Sequence, residues 1–232
     1  ALTKVDEDYP DNKLSGAVFE VYSDTNGDGK LDKDDTLLGE MKELDGGVYQ
    51  MSELRFGKYL VKETKAPTGF VLDENVYSVS VEENGKTYTV ENKAGVGFIN
   101  AAQKGSLKIV KTSSDGKVEG FSFRVTGVDY DQTFKTDKNG EIVIEGLRIG
   151  DYTVSEVSNK ASAGYILPAD KQATVKVDAT AIVQMHNEFR DTPKTGDDFN
   201  LGLWVSLAAL SVVGAGVLGF VGYKNRKKKK ED

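Results

Sequence analysis

Three residue types recur in one order along two stretches of the chain. The first carries Lys4 (LTKVD), Glu63 (YLVKE) and Asn100 (VGFIN); the second carries Lys111 (LKIVK), Glu156 (YTVSE) and Asn187 (VQMHN). Each glutamate sits in a run of alternating apolar residues, where an ionised carboxylate is costly. If the three side chains of a set converge, apolar surroundings lower the lysine pKa and raise that of the glutamic acid. The neutral amine then attacks the carboxamide carbon of asparagine, which protonated glutamic acid polarises by a hydrogen bond, and ammonia leaves. The product is a Lys-Asn isopeptide bond, with Glu63 and Glu156 in the catalytic role. Strand lysines are ordinarily exposed, but the trio recurs and the chain has no cysteine, so no disulfide can serve instead. Asn92 (TVENK) competes with Asn100 as the first acceptor; Asn100 fits better as the last strand before the second stretch begins.

A second chemistry is suggested by Asp24-Thr25-Asn26-Gly27-Asp28-Gly29-Lys30-Leu31-Asp32-Lys33-Asp34-Asp35. Side-chain oxygens at Asp24, Asn26, Asp28, Asp32 and Asp35, with the Lys30 carbonyl, follow the spacing that wraps six or more ligands around Ca2+, and Gly29 permits the sharp turn. The loop resembles EF-hand and dockerin-type loops. Aspartate replaces the usual glutamate at the twelfth position, which predicts a weak site of extracellular range. A solvated acidic turn is the plain alternative.

These residues are carried by a repeated framework. KLSGAVFEV (from Lys13) aligns with KVEGFSFRV (from Lys117), and GGVYQMSELRFGKYLVKE with NGEIVIEGLRIGDYTVSE. Gly47, Leu54, Arg55, Gly57, Tyr59, Val61 and Glu63 thereby match Gly140, Leu147, Arg148, Gly150, Tyr152, Val154 and Glu156. Apolar alternation with Asn, Asp and Gly punctuation predicts short strands. The fold class expected is all-β: two tandem antiparallel β-sandwiches, residues 1–101 with loop 24–35 inserted and residues 103–189, followed by a transmembrane helix. The set YLVKETKAPTGF, with the recurring Lys, Glu and Asn, resembles the Cna protein B-type (SpaA-like) domains of pilins and adhesins. That resemblance spans nearly all of residues 1–190 and implies an Ig-like or prealbumin-like sandwich with autocatalytic isopeptide bonds. The second copy, YTVSEVSNKASAGY, lacks the Ala-Pro.

Residues 201–223 contain no charged residue and are long enough to cross a hydrocarbon core of about 30 Å. The tail KNRKKKKED, residues 224–232, is expected to stay cytoplasmic, which puts the preceding chain outside the cell. In the linker 190–200, Thr192-Pro193-Lys194-Thr195-Gly196 resembles the LPXTG sorting signal of Gram-positive surface proteins, with Thr192 in place of leucine. The resemblance implies that a sortase cleaves between Thr195 and Gly196 and joins Thr195 to peptidoglycan or a neighbouring pilin subunit. The membrane then holds only the precursor, and the mature protein is covalently wall-anchored at the cell surface.

The net charge is -7, with the basic run confined to the tail, which argues against nucleic acid as partner. One histidine and no cysteine cannot assemble a Ser/His/Asp or Cys/His set, so an enzyme is not expected. The sequence predicts a stalk, pilin or adhesin region that ends in its anchor. The alternatives are an adhesin domain that binds host matrix or glycan, and the spacer of a larger wall-anchored enzyme lying upstream of Ala1.

Overall fold

A computed structural model of the protein describes residues 1–190, and these divide into two compact units, one of Ala1–Lys104 and one from Gly105 onward. Among the described residues every helix or strand element is a strand. In the first unit the strands are β1 (Leu2–Asp6), β2 (Val18–Ser23), β3 (Thr36–Glu40), β4 (Lys42–Leu44), β5 (Val48–Gln50), β6 (Gly57–Lys65), β7 (Val76–Val81) and β8 (Phe98–Asn100). They form two four-stranded sheets, ordered β4-β5-β1-β8 and β3-β2-β6-β7.

The second unit repeats this plan. Its strands are β9 (Lys104–Ser113), β10 (Ser122–Gly127), β11 (Tyr130–Lys135), β12 (Glu141–Arg148), β13 (Gly150–Val157), β14 (Tyr165–Ile166), β15 (Lys171–Val175) and β16 (Thr180–Phe189). The sheets run β12-β9-β16-β14 and β11-β10-β13-β15. Loop 24–35 lies between β2 and β3, where the second unit has only the turn from β10 to β11.

The expected all-antiparallel pattern fails at one ladder in each unit. β1 pairs with β8 in parallel, and β9 pairs with β16 in parallel. Hairpin turns impose antiparallel pairing on sequence neighbours, whereas the first and last strands share no turn and are free to run the same way.

Alternating apolar residues fill the space between the sheets of each unit. Phe19, Tyr49 and Phe98 are fully buried in the first core, and Phe19 meets Phe98 edge-on at 5.0 Å between ring centroids. Phe121, Phe123 and Tyr152 occupy the second core. Each buried phenylalanine contributes on the order of 2 kcal/mol from burial alone. The matched tyrosines make the same tertiary hydrogen bond, the Tyr59 hydroxyl donating to the Arg55 carbonyl at 2.6 Å and the Tyr152 hydroxyl to the Arg148 carbonyl at 2.9 Å.

Candidate crosslinking sites

The first and last strands of each unit deliver lysine and asparagine from one sheet, and the facing sheet delivers glutamate. In the first unit Lys4 stands opposite Phe98, and Asn100 follows Phe98 by two residues on the same face of β8. In the second unit Lys111 stands opposite Met185, and Asn187 again follows by two. The registers are therefore equivalent. The glutamates match as well: Glu63 pairs with Phe19 and Glu156 with Phe123.

Backbone at the lysines is fixed by the repeat's matched glycines. The Lys4 amide donates to the Gly47 carbonyl and the Lys111 amide to the Gly140 carbonyl, both at 2.8 Å. Both glycines have positive φ, 67° and 78°. A Cβ on Gly47 would stand 2.6 Å from the Leu14 carbonyl oxygen, and one on Gly140 2.7 Å from that of Lys111. Only glycine satisfies both demands.

All three side chains of the first set are buried. Lys4 Nζ lies 3.7 Å from Glu63 Oε1, donates to the Phe98 carbonyl at 3.1 Å, and sits 4.9 Å from the centre of the Phe98 ring. Asn100 Nδ2 reaches both carboxyl oxygens of Glu63 at 2.9 Å, and the Asp73 amide donates to Glu63 Oε2 at 2.8 Å. Asn100 Oδ1 is buried and accepts no hydrogen bond among the described residues. Burial brings the Lys4 pKa down to about 8, although Glu63 and Asp73 oppose the shift. Burial likewise pushes the Glu63 carboxyl up, against the hydrogen bonds from Asp73 and Asn100 and the nearby Lys4. Burial thus disfavours both charged forms and narrows the gap that a proton must cross to pass from lysine to glutamate.

The second set is buried too. Lys111 Nζ is 4.2 Å from the Phe121 ring centre and donates to the Thr112 carbonyl. Asn187 Nδ2 donates to Glu156 Oε1 at 2.7 Å. Glu156 Oε2 and Asn187 Oδ1 are buried without a hydrogen-bond partner among the described residues. Burial lowers the Lys111 pKa and raises that of Glu156. A half-turn of either asparagine amide presents its oxygen to a protonated glutamate, the arrangement that polarises the carbonyl for attack.

Asn92 is engaged elsewhere. Its Nδ2 donates to Asp73 Oδ2 and to the Ile99 carbonyl, both at 2.8 Å, and its Oδ1 accepts from the Ile99 amide at 2.6 Å, so it staples β8 in position. His186 bonds to Thr112 and Glu188, its neighbours on the outer face of the sheet.

In loop 24–35 the polar side chains cap their own backbone. Asp24 accepts from the Gly27 and Gly29 amides, Asn26 from Asp28, Asp28 from Lys30, Asp32 from Asp34, and Asp35 from Thr25 and Asp32. The Lys30 carbonyl, expected as a ligand, belongs to the same turn. Among the described residues no three His, Cys, Asp or Glu side chains gather in a way that could hold a metal ion. The sorting signal Thr192–Gly196, the apolar run 201–223 and the basic tail lie outside the described residues. Among the described residues no helix is long and apolar enough to cross a membrane.

The chain belongs to the SpaA family of prealbumin-like fold domains, whose family model matches residues 1–94 and again 105–189. No curated protein matches it. Among solved structures, the Bacillus anthracis TIE protein is similar at 23% identity with a TM-score of 0.59, over 81% of this chain and 32% of that one. The chain therefore spans about a third of that relative's length. A C-terminal fragment of the pilus adhesin SpaC from Lactobacillus rhamnosus GG is similar at 13% identity with a TM-score of 0.51, over 82% of this chain and 97% of that one. At these identities the likeness is one of fold.

Proposed function

We propose that the protein is a structural surface module whose two domains each close an intramolecular isopeptide bond, Lys4 to Asn100 and Lys111 to Asn187, with Glu63 and Glu156 as the acids. The observation that carries this reading is the enclosure of a lysine, a glutamate and an asparagine in both units at matching registers. Proton transfer within the pair gives a neutral amine and a protonated acid. The amine nitrogen bonds to the asparagine Cγ, the Cγ–Nδ2 bond breaks, and ammonia carries away the nitrogen. Because the joined strands are parallel neighbours, force applied to the two ends of a domain shears them, and the crosslink takes residues 5–99 out of the load path. That suits a stalk or pilin fixed to the Gram-positive cell wall through Thr195 by a sortase, with peptidoglycan or a neighbouring subunit as acceptor. Tryptic mapping tests the chemistry: a branched peptide joining the segments that contain Lys4 and Asn100 is expected, and separate linear peptides would refute it. Wall-released protein is expected to end at Thr195; recovery of Gly196 would refute sortase cleavage.

A second reading, ligand binding, is favoured by a cavity of about 330 Å³ in the first domain, lined by Met41, Met51, Leu54, Val79 and the exposed Phe56. Its size falls at the lower end of ligand pockets. Host-matrix peptides or glycans that shift the NMR signals of the Met41, Met51, Leu54 and Val79 methyl groups would support it; the absence of any shift would reject it.

A further inference from the structure

The two sites differ at one backbone position. Phe70 bridges to Ala102 and Tyr165 pairs with Phe189, each partner lying two residues beyond the reactive asparagine. The Gln103 amide donates to the Gly69 carbonyl just as the Arg190 amide donates to that of Gly164. Phe70 and Tyr165 are therefore equivalent, and three residues further on Asp73 corresponds to Pro168. The Asp73 N–H occupies Glu63 Oε2; proline has no N–H to give. Correspondingly, Glu156 Oε2 is buried and unpartnered.

We propose that Pro168, by withholding from Glu156 the backbone hydrogen bond that Asp73 gives Glu63, keeps the second domain's acid in its proton-donating form and is a positioning residue for crosslinking there. A proton on Glu156 Oε1, the oxygen that faces the Asn187 amide, is donated after the amide half-turn to the unpartnered Asn187 carbonyl, and the protonated acid leaves no ionised oxygen buried at Oε2. An N–H donor at Oε2 favours the ionised carboxylate instead. The other groups facing Glu63 are Lys4 from β1, Asn100 from β8 and the Asp73 carboxylate, itself held by Tyr77 and Asn92. Those facing Glu156 are Lys111 from β9 and Asn187 from β16, with Asp115 acting on Lys111. The proposal rests on the isopeptide reading.

The test uses the described chain with Lys4→Met and Lys111→Met, so that no bond forms, and follows the glutamate carboxyl carbons by 13C NMR across pH. Glu156 is expected to protonate at a higher pH than Glu63, and Pro168→Ala to lower the Glu156 midpoint without moving that of Glu63. Asp73→Asn, which keeps the amide, should leave Glu63 below Glu156. A Glu156 midpoint at or below that of Glu63, or one indifferent to Pro168→Ala, would overturn the proposal. With the lysines restored, freshly translated Pro168→Ala chain should lose its second ammonia several-fold more slowly at neutral pH than the parent. If the carboxyls differ as expected but no chain ever loses ammonia, it is the isopeptide reading that fails, and the crosslinking role of Pro168 with it.

Discussion

Lys4 Nζ lies 3.7 Å from Glu63 Oε1 across the space between two sheets, and neither side chain touches solvent. A buried ion pair of this kind stabilises a fold poorly, because desolvation offsets most of the attraction. The proposed conversion to a neutral amide would remove that burden and add a covalent tie.

Loss of the tie should be felt by one domain at a time. A crosslink closing a loop of roughly a hundred residues stabilises by about 4–5 kcal/mol on the chain-entropy argument. Asn100→Ala is therefore expected to lower the guanidinium midpoint of the first domain by an equivalent of about 4 kcal/mol or more, leaving the transition of the second unchanged. Equal midpoints in parent and variant would contradict the crosslink's structural role.

Stability should also depend on pH in a direction set by Glu63. In Lys4→Met the carboxyl stays buried and loses its cation, so its folded-state pKa remains above the ordinary value of 4.5. Between those two values the folded protein holds a proton that the unfolded chain has released. The stabilisation is complete below the ordinary value and is lost as pH rises through the raised one. Lys4→Met is thus expected to be more stable near about pH 5 than near about pH 7, by more than Lys4→Met/Glu63→Gln is. Identical slopes for the two variants, followed by urea denaturation, would show that Glu63 is not perturbed.

Much of the site was legible in the sequence because it is written in side chains. Phe19 and Phe123, Tyr59 and Tyr152, and the Lys, Glu and Asn sets are matched by type and order, and the structure brings each to an equivalent place. What was not legible runs through the backbone. The carbonyls of Gly47 and Gly140 and the amide of Asp73 leave no side-chain signature. The Asp73 to Pro168 correspondence is further masked by a connection that is two residues longer in the second unit. Asn92 and Asn100 are one residue type eight positions apart, and only geometry separates a strand staple from a partner of Glu63. The parallel pairing of first and last strands follows from topology, which alternation alone does not encode.

Gly140 supplies a direct test of the backbone argument. Its φ is 78°, and a Cβ there would meet both the Lys111 carbonyl and Val118 at 2.7 Å. Gly140→Ala should destabilise the second domain by about 2 kcal/mol or more, through the left-handed backbone and the clash together. Thermal unfolding that leaves this domain unaffected would show that the strand can shift to make room.

The loop at 24–35 carries a separate expectation. Its spacing proposes weak Ca2+ binding, for which the carboxylates that now cap backbone amides would have to turn inward. Titration calorimetry is expected to show heat that disappears in Asp24→Ala/Asp28→Ala. A flat trace for the parent chain would leave the loop an acidic turn.

The central claim is tested most directly by the intact mass of the chain covering residues 1–190. A mass short by two ammonia molecules is expected, with one restored by Glu63→Ala and the other by Glu156→Ala. The full unmodified mass in folded protein would contradict the account, leaving two sandwiches whose buried lysine, glutamate and asparagine never react.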